Sequence, residues 1–251
     1  MRRSRVFIAQ PLATDTQVVL GGPTCHYLKH VLRLNVGTPL VLFNGLGGEY
    51  SARVIEINRA TMTVTLDTFD VKDRVSPLHI SLGLCITKRD AMDSAIQMAT
   101  ELGVTDIYPL TSARTTVPRQ AKDKREGHWQ QIIYSACEQC GLNRPPCLNP
   151  IGPLDLWMND IDADLRIMAD ASGSTRLLDI AATPMHIAVA IGPEGGFTPD
   201  ELKLAGHAGF LLAGLGPRII RAAHMPAALV GVLQTRFGDL QTGFESNLID
   251  L

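Results

Sequence analysis

From Leu78 onward, the sequence alternates apolar, strand-like segments with amphipathic, helix-like segments. LHISLGLCI is almost continuously apolar, and RDAMDSAIQMATELG has helical spacing and ends at a glycine; VTDIYPL, LRIMAD, HIAVAIG and GFLLAGLG read as further strands. Such alternation is typical of a parallel sheet with helices on both faces. It predicts an α/β domain whose ligand lies at the carboxyl ends of the strands. Those ends are residues 169–170, 192–196 and 214–218.

The chain before Leu78 has a different pattern. RVFIA, TQVVL, TPLVLFNG, GEYSARVIEI and TMTVTLDTF show β-branched or alternating residues, and CHYLKHVLRL interrupts them with helical spacing. Several short strands with one helix predict a small barrel-like module. The polar segment VKDRVSPLH reads as a linker, so we expect domains at residues 1–73 and 74–251.

Composition excludes several classes of protein. No apolar run approaches the ~20 residues of a membrane span, and the first one, VFIA, is shorter than the apolar core of an export signal; we therefore expect a cytoplasmic protein. The five cysteines are odd in number and include no second pair at zinc-binding spacing, so we expect free, mostly buried thiols and no metal. Residues 1–75 hold nine Lys/Arg against six Asp/Glu and residues 151–251 six against twelve, which fits a polyanion bound by the front half.

The segment AIGPEGGFTPDEL, residues 190–202, joins a strand to a helix through a glycine-rich turn. Thr198 and Glu201 have capping-box spacing, and Pro199 suits the first helical position. The amides at this helix start are then satisfied internally, and the acidic residues oppose a phosphate. Bare backbone and acidic surroundings suit an adenine with a sulfonium, as in S-adenosylmethionine, but a turn without any ligand fits the spacing equally well.

Four groups of motifs resemble one family. IGPEGGFTPDEL with LGPRIIR, ATELGVTDIYPLTSART, ACEQCGLNRPP, and HYLKHVLRLNVG with LFNGLGGEYSARV occur in the order seen in the RsmE family of ribosomal RNA methyltransferases. The resemblance covers nearly the whole chain. It implies an α/β fold of the SPOUT type with a trefoil knot, a PUA-like RNA-binding domain and a homodimer.

The resemblance also implies the reaction and its cofactor. The expected activity is methylation of uridine N3 in 16S ribosomal RNA, within the small ribosomal subunit, with S-adenosylmethionine as donor. Three loops would hold the cofactor. Their residues in this chain are Asp170, Ala171, Ile191, Gly192, Pro193, Glu194, Gly195, Gly196, Leu215, Gly216, Arg218, Ile219 and Ile220.

Uridine N3 carries a proton that must leave, so the site needs a base or a cation that favours the deprotonated ring. Arg218 and Arg221 are the candidate cations, although Arg221 could equally contact a phosphate. The family usually has Glu-Thr where this chain has Ala223 and His224. His224 could act as a base because an imidazole ionises near neutral pH, or it could be an exposed loop residue.

Other candidate residues come from polar clusters. In the family, the stretch containing Glu138, Asn143 and Arg144 lies near the active site, although Glu138 could instead cap a helix or form a salt bridge. Candidate RNA contacts form three groups: one at the chain start, one on the polar face of the first helix, and one in a polar loop. They are Arg2, Arg3 and Arg5; His26, Lys29, His30 and Arg33; and Arg114, Arg119 and Lys122.

Two other functions remain open from the sequence. One is a sister knotted enzyme that methylates a ribose 2′-hydroxyl or a different base. The other is an RNA-binding homologue with impaired catalysis, which the Ala223–His224 departure supports.

Overall fold

The computed structural model describes residues 3–115 and 122–241, without the side chains of residues 122 and 123. The chain forms two compact units. The N-terminal unit comprises residues 3–75 together with 137–144, and the second unit comprises residues 76–136 and 145–241 within the described ranges.

The N-terminal unit is built on a curled sheet with strand order β1-β3-β4-β5-β2. The strands are β1 Ser4–Phe7, β2 Gln17–Gly21, β3 Pro39–Phe43, β4 Glu49–Ile57 and β5 Thr61–Asp70. β1 pairs with β3 in parallel and the other pairs are antiparallel. All five strands predicted for this region are therefore present. In β2 the side chains alternate, with Val18 and Leu20 buried in the core.

The predicted first helix begins and ends three residues earlier than its sequence spacing suggests. α1 spans Gly22–His26 and continues as a π-helical turn over Tyr27–Val31. Arg33 lies beyond this turn with a φ of +53°. The expectation that Arg33 shares a helix face with His26, Lys29 and His30 is therefore wrong, because the left-handed backbone at Arg33 ends the helical path.

The second unit contains a parallel sheet with strand order β12-β10-β11-β6-β7-β8, and β9 pairs with β7. The strands are β6 His79–Cys85, β7 Asp106–Thr111, β8 Cys147–Leu148, β9 Gly152–Pro153, β10 Leu165–Ala169, β11 His186–Ile191 and β12 Leu211–Ala213. The central strands β6 and β11 are almost wholly buried, which explains their continuous apolar sequences. The predicted α/β architecture is confirmed.

Five α-helices follow α1 within the described residues. They are α2 Arg89–Glu101, α3 Lys122–Cys140, α4 Leu154–Asp160, α5 Pro199–His207 and α6 Met225–Phe237, and Leu177–Asp179 forms a 3-10 turn. Gly103, with a φ of +74°, follows the end of α2 as predicted. In the described ranges, no helix has the combination of length and apolar composition required to traverse a bilayer.

One residue of α6 forms a buried polar junction in the second unit. The Gln234 amide donates to the carbonyl of Leu102 at 2.9 Å and accepts from the Ser76 hydroxyl at 2.7 Å. Gln234 is fully buried. It thereby satisfies a carbonyl at the end of α2 that the helix itself leaves free.

Candidate functional site

A cavity of about 620 Å³ lies at the carboxyl ends of β10, β11 and β12. Three segments that follow these strands form most of its wall, with Ala91 of α2 beside them. The lining residues are Ala169–Ala171, Ile191–Glu194, Gly196 and Phe197, Ala213–Gly216, and Arg218–Met225. The cavity thus lies where the strand order predicts a ligand.

Two glycines allow the first and third segments to approach closely. A Cβ on Gly173 would lie 2.6 Å from the backbone nitrogen of Ala213, and one on Gly214 would lie 3.1 Å from the Gly173 carbonyl. The Thr175 amide also donates to the Leu212 carbonyl at 3.1 Å. Main chain therefore packs directly on main chain at this corner of the cavity.

The middle segment is shaped by an aromatic ring. Phe197 is buried, and a Cβ on Gly192 would lie 3.1 Å from its ring. Gly196 has a φ of +68°, a conformation that favours glycine. The glycines of this turn thus serve ring packing and chain reversal, and they leave peptide groups along the cavity wall.

The start of α5 is capped from within, as the sequence predicts. The Thr198 hydroxyl accepts from the Glu201 amide at 3.2 Å, and the Glu201 carboxylate accepts from the Thr198 amide at 2.7 Å. Asp200 and Glu201 lie in the first turn. This helix start therefore disfavours an anion, unlike a phosphate-binding loop.

Acidic side chains near the cavity are held by local backbone groups. The Asp170 carboxylate accepts from the Ser172 amide at 2.8 Å and from its hydroxyl at 2.5 Å. The Glu194 carboxylate accepts from the Lys88 amide at 3.2 Å. These two carboxylates place negative charge on the first and middle segments, where it favours a cationic ligand.

The basic side chains of the third segment are free. Arg218, Arg221 and His224 all line the cavity and are exposed. Within the described residues, none of the three side chains has a hydrogen bond or an ion pair. The Arg221 carbonyl accepts from the amides of His224 and Met225, which forms the turn that leads into α6. These predicted residues therefore lie together with their polar groups available.

Glu138, Asn143 and Arg144 belong to the N-terminal unit and make contacts there. The Glu138 carboxylate accepts from the Phe7 amide at 3.0 Å. Burial raises the pKa of this carboxyl, although the Phe7 amide and the Arg5 guanidinium oppose the rise. Arg144 pairs with Asp73 at 2.6 Å.

Asn143 is fully buried. It accepts from Arg5 at 2.6 Å and donates to the Lys72 carbonyl at 3.0 Å. Arg5, a predicted RNA contact, also pairs with Glu49, and its side chain is only 13% exposed. Most of this guanidinium is therefore used inside the unit.

The remaining predicted RNA contacts have varied surroundings. Arg3 is exposed, Lys29 donates to the carbonyls of Asn58 and Arg59, and the rings of His26 and His30 lie 4.6 Å apart. Arg2, Arg119 and the side chain of Lys122 lie outside the described part of the chain.

Arg114 contacts the glycine-rich turn of the second unit. Its guanidinium donates to the Gly195 carbonyl at 2.5 Å and to the Phe197 carbonyl at 3.2 Å. Sequence reasoning assigned Arg114 to RNA and also missed the packing roles of Gly173, Gly214 and Phe197. The sequence signal available for this packing was one glycine in each of the loops that follow the neighbouring strands β10 and β12.

The thiols follow the sequence-based expectation. None of the five cysteines forms a disulfide, and Cys25, Cys85 and Cys137 are buried. Burial raises the pKa of Cys85 to about 12, so this thiol stays protonated at neutral pH. Over residues 3–115 and 122–241, no group of three or more His, Cys, Asp or Glu side chains could hold a metal ion.

Two family profiles match the chain. The RNA methyltransferase domain matches residues 74–234, and the RNA methyltransferase PUA domain matches residues 20–67. Ribosomal RNA small subunit methyltransferase E of Buchnera aphidicola from Schizaphis graminum is 31% identical over 242 residues, which cover 95% of this chain and 98% of the relative. The chain belongs to the RsmE family. The resemblance inferred from the motifs is thereby confirmed.

Two solved structures of high similarity have bound cofactor. A methyltransferase of Legionella pneumophila in complex with SAM is 32% identical with a TM-score of 0.92, covering 96% of this chain and all of the other. Ribosomal RNA small subunit methyltransferase E of Neisseria gonorrhoeae, bound to S-adenosylmethionine, is 32% identical with a TM-score of 0.90, covering 95% of this chain and all of the other. The predicted fold class of this RsmE family member is thus confirmed.

Proposed function

We propose that this protein transfers a methyl group from S-adenosylmethionine to N3 of a uridine in 16S ribosomal RNA. The observation that carries the proposal is the cavity at the ends of β10, β11 and β12, in a chain whose similar structures from Legionella and Neisseria contain this cofactor. The curated relatives that share the family name act, by that name, on small-subunit ribosomal RNA.

The cavity fits the cofactor in size and charge. Its volume lies within the ~300–1,000 Å³ range of small-molecule sites. Peptide groups of the segments around Gly192 and Gly214 can read the edge of an adenine. The carboxylates of Asp170 and Glu194 favour a positive charge nearby. We assign the cofactor to Asp170 and Ala171, to residues 191–196, and to Leu215, Gly216 and residues 218–220.

When bound, S-adenosylmethionine supplies a methyl group on a positively charged sulfur. The protein then has to align the target nitrogen with that methyl carbon, because an in-line displacement requires a narrow range of approach. The three packed segments provide a fixed wall for this purpose. No covalent bond to the enzyme is needed.

The uridine must lose its N3 proton when the new carbon–nitrogen bond forms. Arg218 and Arg221 would stabilise the negative charge that develops on the ring. His224 would accept the proton, since its side chain lines the same cavity and has no partner among the described residues. This assignment gives the Ala223–His224 departure a chemical role.

We further propose that the enzyme is a cytoplasmic homodimer that acts on rRNA within the small ribosomal subunit. α6 carries Ala227, Ala228 and Gly231, small residues that are partly exposed and permit close helix packing. Sedimentation equilibrium of the purified chain tests the dimer, and a single species of 27.2 kDa would contradict it.

The decisive experiment combines the protein, labelled S-adenosylmethionine and small ribosomal subunits that lack the modification. Mass spectrometry of the digested nucleosides should show labelled 3-methyluridine. A ribose-methylated product would indicate a sister enzyme, and cofactor binding without transfer would indicate an impaired homologue. Absence of cofactor binding in calorimetry would reject the proposal entirely.

A further inference from the structure

The turn after β7 reaches the glycine-rich segment of the cavity. The Ser112 amide donates to the Thr115 hydroxyl at 2.9 Å, which closes a tight turn with Arg114 in it. From this turn, Arg114 reaches the carbonyls of Gly195 and Phe197. One guanidinium nitrogen thus binds two peptide groups that flank Gly196.

A second contact joins the same two segments. The Ala113 amide donates to the Glu201 carboxylate at 2.8 Å, and the other oxygen of that carboxylate accepts from the Thr198 amide. The turn at residues 112–115 is therefore connected to both sides of Phe197. Its backbone contributes one connection and the Arg114 side chain contributes the other.

The Arg114 contacts affect the cavity because the two carbonyls that they bind lie on either side of Gly196. Gly196 and Phe197 line the cavity, and the Phe197 ring packs against Gly192. A segment with glycines at 192, 195 and 196 has many accessible backbone conformations, and fixing them on binding costs affinity. A guanidinium bound to the carbonyls on each side of Gly196 restricts those conformations in advance.

We infer that Arg114 is a positioning residue that holds residues 192–197 in the conformation that lines the cofactor cavity. The inference rests on the proposed function, because it takes S-adenosylmethionine as the ligand of that cavity. It also reassigns Arg114, whose sequence context suggested an RNA contact. In the described part of the chain, Arg114 has no carboxylate partner, so its bonds go to these carbonyls.

The test measures cofactor affinity by calorimetry for wild type, Arg114→Ala and Arg114→Lys. We expect Arg114→Ala to weaken S-adenosylmethionine binding about tenfold. Arg114→Lys should recover only part of this loss, because the lysine ammonium lies on a flexible stem and is less pre-organised than a guanidinium. In Arg114→Ala, the KM for the cofactor should rise by a larger factor than the factor by which kcat falls at saturating cofactor. The reason is that Arg114 does not touch the reacting atoms.

Arg166 offers a matched control. Its guanidinium donates to the Ala208 carbonyl at 2.8 Å, at the opposite end of α5, and it does not line the cavity. Arg166→Ala removes a comparable arginine–carbonyl contact and should leave cofactor affinity unchanged. Thermal melts of all variants show whether each remains folded at the temperature of the titration.

Three results would overturn the inference. Equal cofactor affinity of wild type and Arg114→Ala would do so while leaving the proposed function intact. A second result is an unchanged cofactor affinity of Arg114→Ala together with a raised KM for RNA. If Arg114→Lys restored that KM and the difference between the variants became smaller at high salt, Arg114 would be assigned to a phosphate contact. Failure of wild type to bind S-adenosylmethionine would reject both the proposed function and the inference.

Discussion

Arg5 of the N-terminal unit has surroundings opposite to those of the two arginines that line the cavity of the second unit. In the N-terminal unit, Arg5 pairs with Glu49 and donates to the buried Asn143. In the second unit, Arg218 and Arg221 line the cavity with no partner among the described residues. The comparison separates arginines that stabilise their own unit from arginines that remain available to a ligand, a difference that residue type alone does not reveal.

The largest expected effect tests the free arginines. Arg218→Ala should reduce kcat for methyl transfer by about 10²–10³-fold, because it removes a cation that stabilises developing charge. The free energy of unfolding should change by less than about 0.5 kcal/mol, since the side chain has no internal partner to lose. Single-turnover kinetics and urea unfolding measure the two quantities.

Arg176→Ala is the matched control for this variant. Arg176 is exposed, belongs to the same unit and, among the residues that the structure describes, has its ion pair with Asp179 three residues later. Its replacement should alter neither kcat nor stability. If Arg218→Ala behaved like Arg176→Ala, Arg218 would have no role in the reaction.

The next effect tests the close packing of main chain at the cavity. Gly173→Ala would place a Cβ 2.6 Å from the Ala213 backbone, which cannot move without shifting β12. We expect a loss of about 2–3 kcal/mol in unfolding free energy and weaker cofactor binding. Calorimetry and chemical denaturation measure both.

Gly206→Ala is the glycine control in α5. Nothing lies within 4 Å of a Cβ there, and alanine in a helix is favoured by about 0.5–1 kcal/mol. A slight gain in stability is therefore expected. A comparable loss at both glycines would contradict the packing argument.

The hydrogen-bonded network of Arg5 and Asn143 predicts the reverse of the Arg218→Ala result, namely a loss of stability without a change in cofactor affinity. Asn143→Ala removes one of the two partners of the Arg5 guanidinium and leaves the Lys72 carbonyl without its Asn143 donor, which should cost about 2 kcal/mol of unfolding free energy. Intrinsic cofactor affinity should not change, because Asn143 does not line the cavity. Asn58→Ala, at an exposed position, provides the control and should be nearly neutral.

The smallest effect concerns pH. Burial raises the pKa of Glu138 from its ordinary value of 4.5, so the carboxyl of the folded protein keeps its proton at pH values somewhat above 4.5. Its contribution to stability is fully present below pH 4.5 and is lost as pH rises through the raised pKa. Glu138→Gln should flatten this part of the stability curve, measured by urea unfolding between pH 4 and 8. An unchanged slope would show that the carboxyl does not titrate there.

The sequence predicted the longer strands of both units because their apolar patterns reflect burial directly. It did not indicate α4, β8 or β9, which are too short to show a period. Nor did it indicate that residues 137–144 pack with the N-terminal unit, since long-range pairing leaves no local pattern.

The candidate site was predictable to the extent that strand ends determine its position. Residues 192–196 follow the buried strand β11 and residues 218–221 follow β12, and motif spacing identified them. The structural bonds of Arg114 and Asn143 were not predictable, because a polar residue in a loop has the same sequence signature whether its partner is RNA or its own chain.

The bond between Ser76 and Gln234 joins residues 158 positions apart. A contact this remote closes a long loop at a cost in conformational entropy, and parallel strand pairing is slow for the same entropic reason. We therefore expect refolding of the second unit to be slow compared with that of a helical protein of equal length. The carboxyl end of α2 acquires its side-chain cap only when α6 docks, which makes that docking a late event in the folding of the second unit.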